Sequence, residues 1–182
     1  MKTFEVPARE NVSAANQQLF DNLTKKLGKV PNLYATFALS ENALGSYLAF
    51  SNAKSSLKAK EKEAVNLVVS QVNECDYCLS AHTVIAKLNG FTDEQVLSIR
   101  RGEAPFDAKL DALVKLAKSL TENRGKADAA LVDNFFAAGY TNENLVDAIL
   151  VIGDKTITNL LYGVTQIPVD FSPAPSLATA TA

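Results

Sequence analysis

The stretch Lys58-Ala59-Lys60-Glu61-Lys62-Glu63-Ala64-Val65-Asn66-Leu67-Val68-Val69-Ser70-Gln71 decides the fold class, because its second half admits two readings. Val65, Leu67, Val68 and Val69 are apolar or β-branched enough for a buried strand. The segment is long, however, and opens on a charged Lys/Ala/Glu run that favours helix strongly. A helix carrying Ala64, Leu67, Val68 and Gln71 follows, with Ser56 as its expected N-cap. The same reading extends outward. Phe20, Leu23 and Leu27 mark an early helix stopped by Gly28, and Leu33, Phe37 and Leu39 follow Pro31, which suits a helix start. Leu44, Tyr47, Leu48 and Ala49 continue the pattern. Thr92 with Gln95 reads as a capping box. Helical patterns then run from Asp107 to Asn123, from Asp128 to Ala138, and from Asn142 to about Thr165. No segment alternates with period two, so the expected fold is all-α.

Directly after the deciding stretch comes Glu74-Cys75-Asp76-Tyr77-Cys78-Leu79-Ser80-Ala81-His82, which holds both cysteines and the one histidine of the chain. A helix from about Cys75 to Leu88, ending at Asn89-Gly90, puts Cys75, Cys78 and His82 on one face. Unpaired N–H groups at a helix start favour negative charge, and an imidazole nearby lowers a thiol pKa further. The ionised thiol is the nucleophile, and a neighbouring thiol can resolve its oxidised form as a disulfide. Two other readings of these residues stand beside this one. Cysteine is among the most buried residue types, so both could be core residues. A zinc site would need Cys75, Cys78, His82 and a carboxylate or water, and the chain offers no second Cys-x-x-Cys and no other histidine. Glu61 and Glu63 lie in a charged run, where the ordinary expectation is a solvated side chain.

With 182 residues and 47% hydrophobic content, the chain can bury one substantial core. A single domain is expected over residues 1–171, followed by an irregular, mobile tail over 172–182 marked by Pro168, Pro173 and Pro175 upstream of Ser176–Ala182. The net charge of −2 argues against nucleic-acid binding. Met1-Lys2-Thr3-Phe4-Glu5 has no apolar signal-peptide core, and no apolar run approaches the ~18–20 residues that span a bilayer. A cytoplasmic, membrane-free protein is the expectation, and there a Cys-x-x-Cys serves chemistry or metal more often than structure.

An internal echo is visible. Gly90-Phe91-Thr92-Asp93-Glu94 recurs 49 residues on as Gly139-Tyr140-Thr141-Asn142-Glu143. The same offset pairs Ala59 with Ala108, Lys60 with Lys109, Val65 with Val114, Leu67 with Leu116 and Ala81 with Ala130. Two copies of a helix–helix–helix unit account for this, each with a glycine stop and a threonine cap. Glu63, Cys75, Cys78 and His82 then pair with Ala112, Arg124, Ala127 and Leu131, so only the first copy carries chemical groups.

The Glu63–Ser70 stretch together with Cys75-Asp76-Tyr77-Cys78-Leu79-Ser80-Ala81-His82-Thr83 resembles the alkylhydroperoxidase D core of the carboxymuconolactone decarboxylase superfamily. Val30-Pro31-Asn32-Leu33, Ser46-Tyr47-Leu48-Ala49-Phe50 and Thr158 through Phe171 resemble its flanking helices, so the likeness runs from about Val30 to Phe171. The resemblance implies an all-helical fold that assembles into homo-oligomers, trimers or hexamers. It also implies a thiol peroxidase that needs no cofactor and no metal. By this likeness Cys78 is the peroxidatic cysteine and Cys75 the resolving one. His82 and Glu63 form the proton relay, and Tyr77 borders the substrate pocket. The implied partners are a hydroperoxide substrate and a dithiol reductant, either a lipoyl-bearing or a thioredoxin-like protein. This chain departs from the likeness twice. Tyr77 stands where the best-studied type has a second histidine, and Tyr162-Gly163 stand where many peroxidase-related members have Asn-His. Two other functional readings remain alongside it: a lactone decarboxylase, which works without Cys-x-x-Cys, and a non-enzymatic redox sensor whose assembly follows its disulfide.

Overall fold

The computed structural model describes residues 4–177, and every regular element among them is helical. The expected all-α class is therefore correct. Contacts gather the described residues into two units, where the sequence reads as a single domain. Residues 4–54 with Leu160–Asp170 form one, and Ser55–Asn159 with residues 171–177 form the other.

The first unit holds α1 (Ala14–Leu27), α2 (Asn32–Phe37) and α3 (Ala43–Ser51). Ser13 caps α1 by accepting from the Asn16 N–H, and Gly28 ends it in the left-handed conformation, as its place in the sequence predicts. Phe20, Leu23, Ala35, Ala38 and Leu44 make the core of this unit. Leu27 and Leu39, which share the apolar spacing, stay exposed. The Pro168–Asp170 segment is tied to this unit: Asn32 Nδ2 donates to Pro168 O at 3.0 Å, and Lys29 pairs with Asp170 at 2.8 Å.

In the second unit, α4 (Ala59–Val72) is the central element, packed by α5 (Asp76–Leu88), α6 (Asp93–Arg101) and α7 (Ala108–Glu122). This position explains why the deciding stretch resembles a strand. Ala64, Val65, Leu67, Val68 and Val69 are all fully buried, because three helices enclose α4, and a helix buried all round loses its polar stripe. Phe91, Val96, Ile99, Leu113, Val114, Leu116 and Phe135 complete the core, the last from α8 (Ala129–Ala137). Ser56 is not the cap of α4. Lys58 occupies that position, its N–H donating to Glu61 Oε2 at 2.7 Å, while Ser56 Oγ donates to Asp147 on α9 (Asn142–Thr165).

The expected cap at Thr92 is present: Gln95 N donates to Thr92 Oγ1 at 3.2 Å, and Thr92 N donates to Gln95 Oε1 at 3.0 Å. The same exchange joins Thr141 and Asn144 at the start of α9, at 3.2 and 2.9 Å. Lys60 Nζ reaches Gly90 O at 3.4 Å and lies over the Phe91 ring; Lys109 Nζ reaches Gly139 O at 3.3 Å and lies over the Tyr140 ring. Gly90 and Gly139 both take positive φ, near 84° and 87°, which a side chain would strain. The irregular segment after α9 is anchored in part to this unit. Ala174 N donates to Ser80 Oγ at 3.3 Å, and the buried Arg100 donates to Pro175 O at 2.6 Å and to Gln71 Oε1 at 2.9 Å. The expected tail thus starts irregular but held; its last five residues, like residues 1–3, lie outside the described part. Among the described residues no helix is long and apolar enough to cross a membrane.

Candidate active site

The end of α4 positions the first cysteine. Asn73 is the C-cap and Glu74 the next residue, with φ of 51°. Cys75 N donates to Ser70 O at 2.9 Å and Glu74 N to Gln71 O at 3.1 Å, the paired bonds of a Schellman stop. Glycine is the usual left-handed residue in that stop; here Glu74 takes the strain. The turn delivers Cys75 to the N-cap of α5, where its sulfur accepts from Cys78 N at 3.4 Å. Both cysteines are free thiols and both are buried.

Three helices of the second unit converge on this turn. From α4 come Glu63, Asn66 and Ser70, and from α5 come Cys78 and His82. From α9 come Lys155, Thr158 and Asn159, spaced to share one face. Glu63 is only 5% exposed, despite its place in a charged run, because α4 turns that position inward. Its carboxylate pairs with His82 Nδ1 and also accepts from Asn66 Nδ2 at 3.2 Å. Glu61, two residues earlier, faces the other way and accepts from Tyr140 Oη at 3.0 Å. The Cys78 thiol donates to Thr158 Oγ1 at 3.7 Å, and that hydroxyl donates to Lys155 O at 2.8 Å. Asn159 braces the turn, accepting from Asn73 Nδ2 at 2.9 Å and donating to Ser70 Oγ at 3.5 Å.

This arrangement separates the two thiols electrostatically. Cys78 is lowered to about 6, chiefly by its hydrogen bond with Cys75; burial opposes the shift, and the Lys155 charge, then the His82 charge, then Thr158 assist it. Cys75 moves up, because it is the donor in that same bond, because it is buried, and because a charge on Cys78 repels its own. Burial raises Glu63, but the His82 charge and hydrogen bond, joined by Lys155 and Asn66, outweigh it and leave the carboxyl below its usual range.

The four residues expected to act together, Cys75, Cys78, His82 and Glu63, therefore lie in one cluster. Tyr77 is buried with its ring edge-on to Phe171, centroids 5.6 Å apart. Lys155, Thr158, Asn159, Asn66 and Ser70 were not legible as neighbours of the thiols. The one available signal was Lys155 itself, the single basic residue in an otherwise largely apolar 24-residue helix. Among the described residues no group of three or more His, Cys, Asp or Glu is placed to hold a metal ion.

The comparisons agree with this geometry at the level of fold. An uncharacterized peroxidase-related protein from Silicibacter sp. TM1040 superposes with a TM-score of 0.80 at 24% identity, covering 94% of this chain and 91% of the other. An alkylhydroperoxidase AhpD core protein, an uncharacterized peroxidase-related protein from Ralstonia eutropha JMP134, superposes at 0.80 with 18% identity over 96% and 93%. The debrominase Bmp8 in complex with 2,3,4-tribromopyrrole superposes at 0.76 with 16% identity, over 93% of each chain. No curated protein matches the sequence. The match to a family covers α4, α5, α6 and most of α7 but not α9, so Glu63, both cysteines and His82 fall inside it while Lys155, Thr158 and Asn159 fall outside. Residues 40–119 match the model of the carboxymuconolactone decarboxylase family, and the all-helical fold is similar to that of the peroxidase-related proteins above.

Proposed function

We propose that this protein is a thiol peroxidase acting on hydroperoxides, with Cys78 as the attacking thiol. The observation that carries the reading is the convergence of two adjacent buried free thiols with the Glu63–His82 pair, in surroundings that favour the thiolate at Cys78 and disfavour it at Cys75. The Cys78 thiolate attacks the distal peroxide oxygen. The O–O bond breaks, its electron pair leaves on the alkoxide, and Cys78 becomes a sulfenic acid. His82, paired with Glu63, supplies the proton that converts alkoxide to alcohol. Glu63 orients the imidazole and supports its cationic form. Cys75 then condenses with the sulfenic acid, forming the Cys75–Cys78 disulfide and releasing water. An external dithiol restores both thiols and leaves as its own disulfide. Tyr77, edge-on to Phe171, walls the site. A reducing compartment, the cytoplasm, suits a pair that must return to dithiol.

The test mixes reduced protein with an organic hydroperoxide and dihydrolipoamide and follows peroxide loss. Turnover should vanish in Cys78→Ser and fall ~10²-fold in His82→Ala, the usual scale of general acid–base assistance. Wild-type protein that consumes no peroxide while both thiols still titrate would overturn the reading. Muconolactone consumption that survives loss of both cysteines would replace it with decarboxylase chemistry.

We further infer that the second unit arose as two copies of one three-helix block, α4–α6 and α7–α9. The shared threonine caps and the two lysine–glycine–aromatic contacts, each 49 residues apart, support this. We also propose a homo-oligomer of three or six chains, covering the exposed Val146, Ile149, Leu150 and Ile157 of α9 with another copy of this chain.

A further inference from the structure

Lys155 is a buried charge that the chemistry above does not use. It is 5% exposed, it sits midway along α9, and among the described residues it forms no ion pair. Burying an ammonium costs several kcal/mol unless an anion compensates it. The charged and titratable groups that it acts on are Glu63 from α4 and Cys78 from α5, each in contact with a further α5 group, His82 and Cys75 respectively, and Asp154 is its neighbour in sequence on α9. Of the anions, Glu63 is already committed to His82 through a direct contact. Asp154 precedes Lys155 in sequence, and its buried Oδ1 has no partner. Successive residues on a helix point about 100° apart, so the two do not share a face.

What remains is the sulfur. Thr158 lies on the same face of α9 as Lys155, one turn on, and its hydroxyl bridges the Cys78 thiol to the Lys155 carbonyl. Lys155 is thus buried one turn before the α9 residue that touches the Cys78 sulfur. The electrostatics divide the same way. On Glu63 the His82 charge weighs more than Lys155, whereas on Cys78 the Lys155 charge weighs more than His82.

We propose that Lys155 is the fixed counter-charge of the Cys78 thiolate, a positioning residue that sets the charge state of the attacking sulfur, while His82 serves the proton path with Glu63. The ammonium transfers no proton and forms no bond in any step. When Cys78 attacks a peroxide, negative charge moves from sulfur to the departing oxygen, and a cation fixed beside the sulfur steadies both ends of that movement. The inference builds on the peroxidase reading but can be tested apart from it, because thiolate formation needs no peroxide.

The test measures the rate of iodoacetamide alkylation of Cys78 against pH, located by peptide mass, in full-length reduced protein. Wild type is compared with Lys155→Met, Lys155→Gln and Lys155→Arg. Both neutral variants should shift the alkylation midpoint upward by about one pH unit and slow alkylation at pH 6.5 several-fold, while Lys155→Arg stays near wild type. Replacing the buried ammonium by methionine removes a desolvation cost, so that variant should fold at least as well as wild type. Lys155→Gln provides the same readout should methionine disturb packing. An unchanged midpoint in a folded neutral variant, or an equal shift in Lys155→Arg, overturns the proposal. Wild type that alkylates with a low midpoint yet consumes no hydroperoxide would sink the peroxidase reading and leave the Lys155 assignment standing.

Discussion

At the scale of single residues, the site works by giving like side chains unlike surroundings. Cys75 and Cys78 are three positions apart and equally buried, yet one is a hydrogen-bond donor to the other and only the acceptor faces Lys155 and His82. Glu61 and Glu63 are two positions apart, and helical rotation sends one to Tyr140 and the other to His82. The pH dependence follows from the depressed Cys78 value. The reactive thiolate is present above the folded-state value of about 6 and is lost as pH falls through it. Single-turnover oxidation by hydroperoxide should therefore rise through pH 6 and level off before pH 8, as stopped-flow measurement would show; a midpoint near 8.5, the ordinary thiol value, would contradict the assignment. Glu63→Gln keeps the shape and removes the anion that pairs with His82 Nδ1. Peroxide turnover should fall ~10-fold or more in the peroxide-loss assay, because the imidazole loses the carboxylate that orients it.

At the scale of the element, α4 is both core and site. Leu67 and Val68 fill the centre of the second unit while Glu63, Asn66 and Ser70 line the thiol pocket one face away. Leu67→Ala should destabilise by ~2–5 kcal/mol, measured by urea unfolding, because the fully enclosed site cannot collapse around the cavity. The stop of α4 offers the opposite prediction. Glu74 holds φ of 51° without glycine's freedom, so Glu74→Gly should leave stability unchanged or raise it by up to ~1 kcal/mol while the Cys75 turn persists. If α4–α6 and α7–α9 are equivalent blocks, Lys60→Ala and Lys109→Ala should cost alike, ~0.5–1 kcal/mol each; clearly unequal losses would count against equivalence.

At the scale of the whole molecule, the proposed assembly makes a direct prediction. Light scattering should report three or six chains in reduced protein, and introducing Asp at Ile149 and Leu150 should lower that mass without unfolding the chain, because both side chains are about half exposed. A wild-type monomer would remove the assembly. A mass that changes with the disulfide would favour the redox-sensor reading over a simple peroxidase.

The helices, the glycine stops and the two threonine caps were legible in the chain, because they rest on local physics: apolar spacing, glycine at positive φ, and threonine before a helix. The spacing of Cys75, Cys78 and His82 was legible for the same reason, since one helix carries them all. Only the tertiary structure decided that Glu63 is buried, that the start of α4 is capped from Lys58 rather than Ser56, and that Lys155, Thr158 and Asn159 stand beside a thiol some eighty residues earlier. Burial and charge at that thiol depend on which helices meet, and no pattern within a single helix states which face of another it will press against.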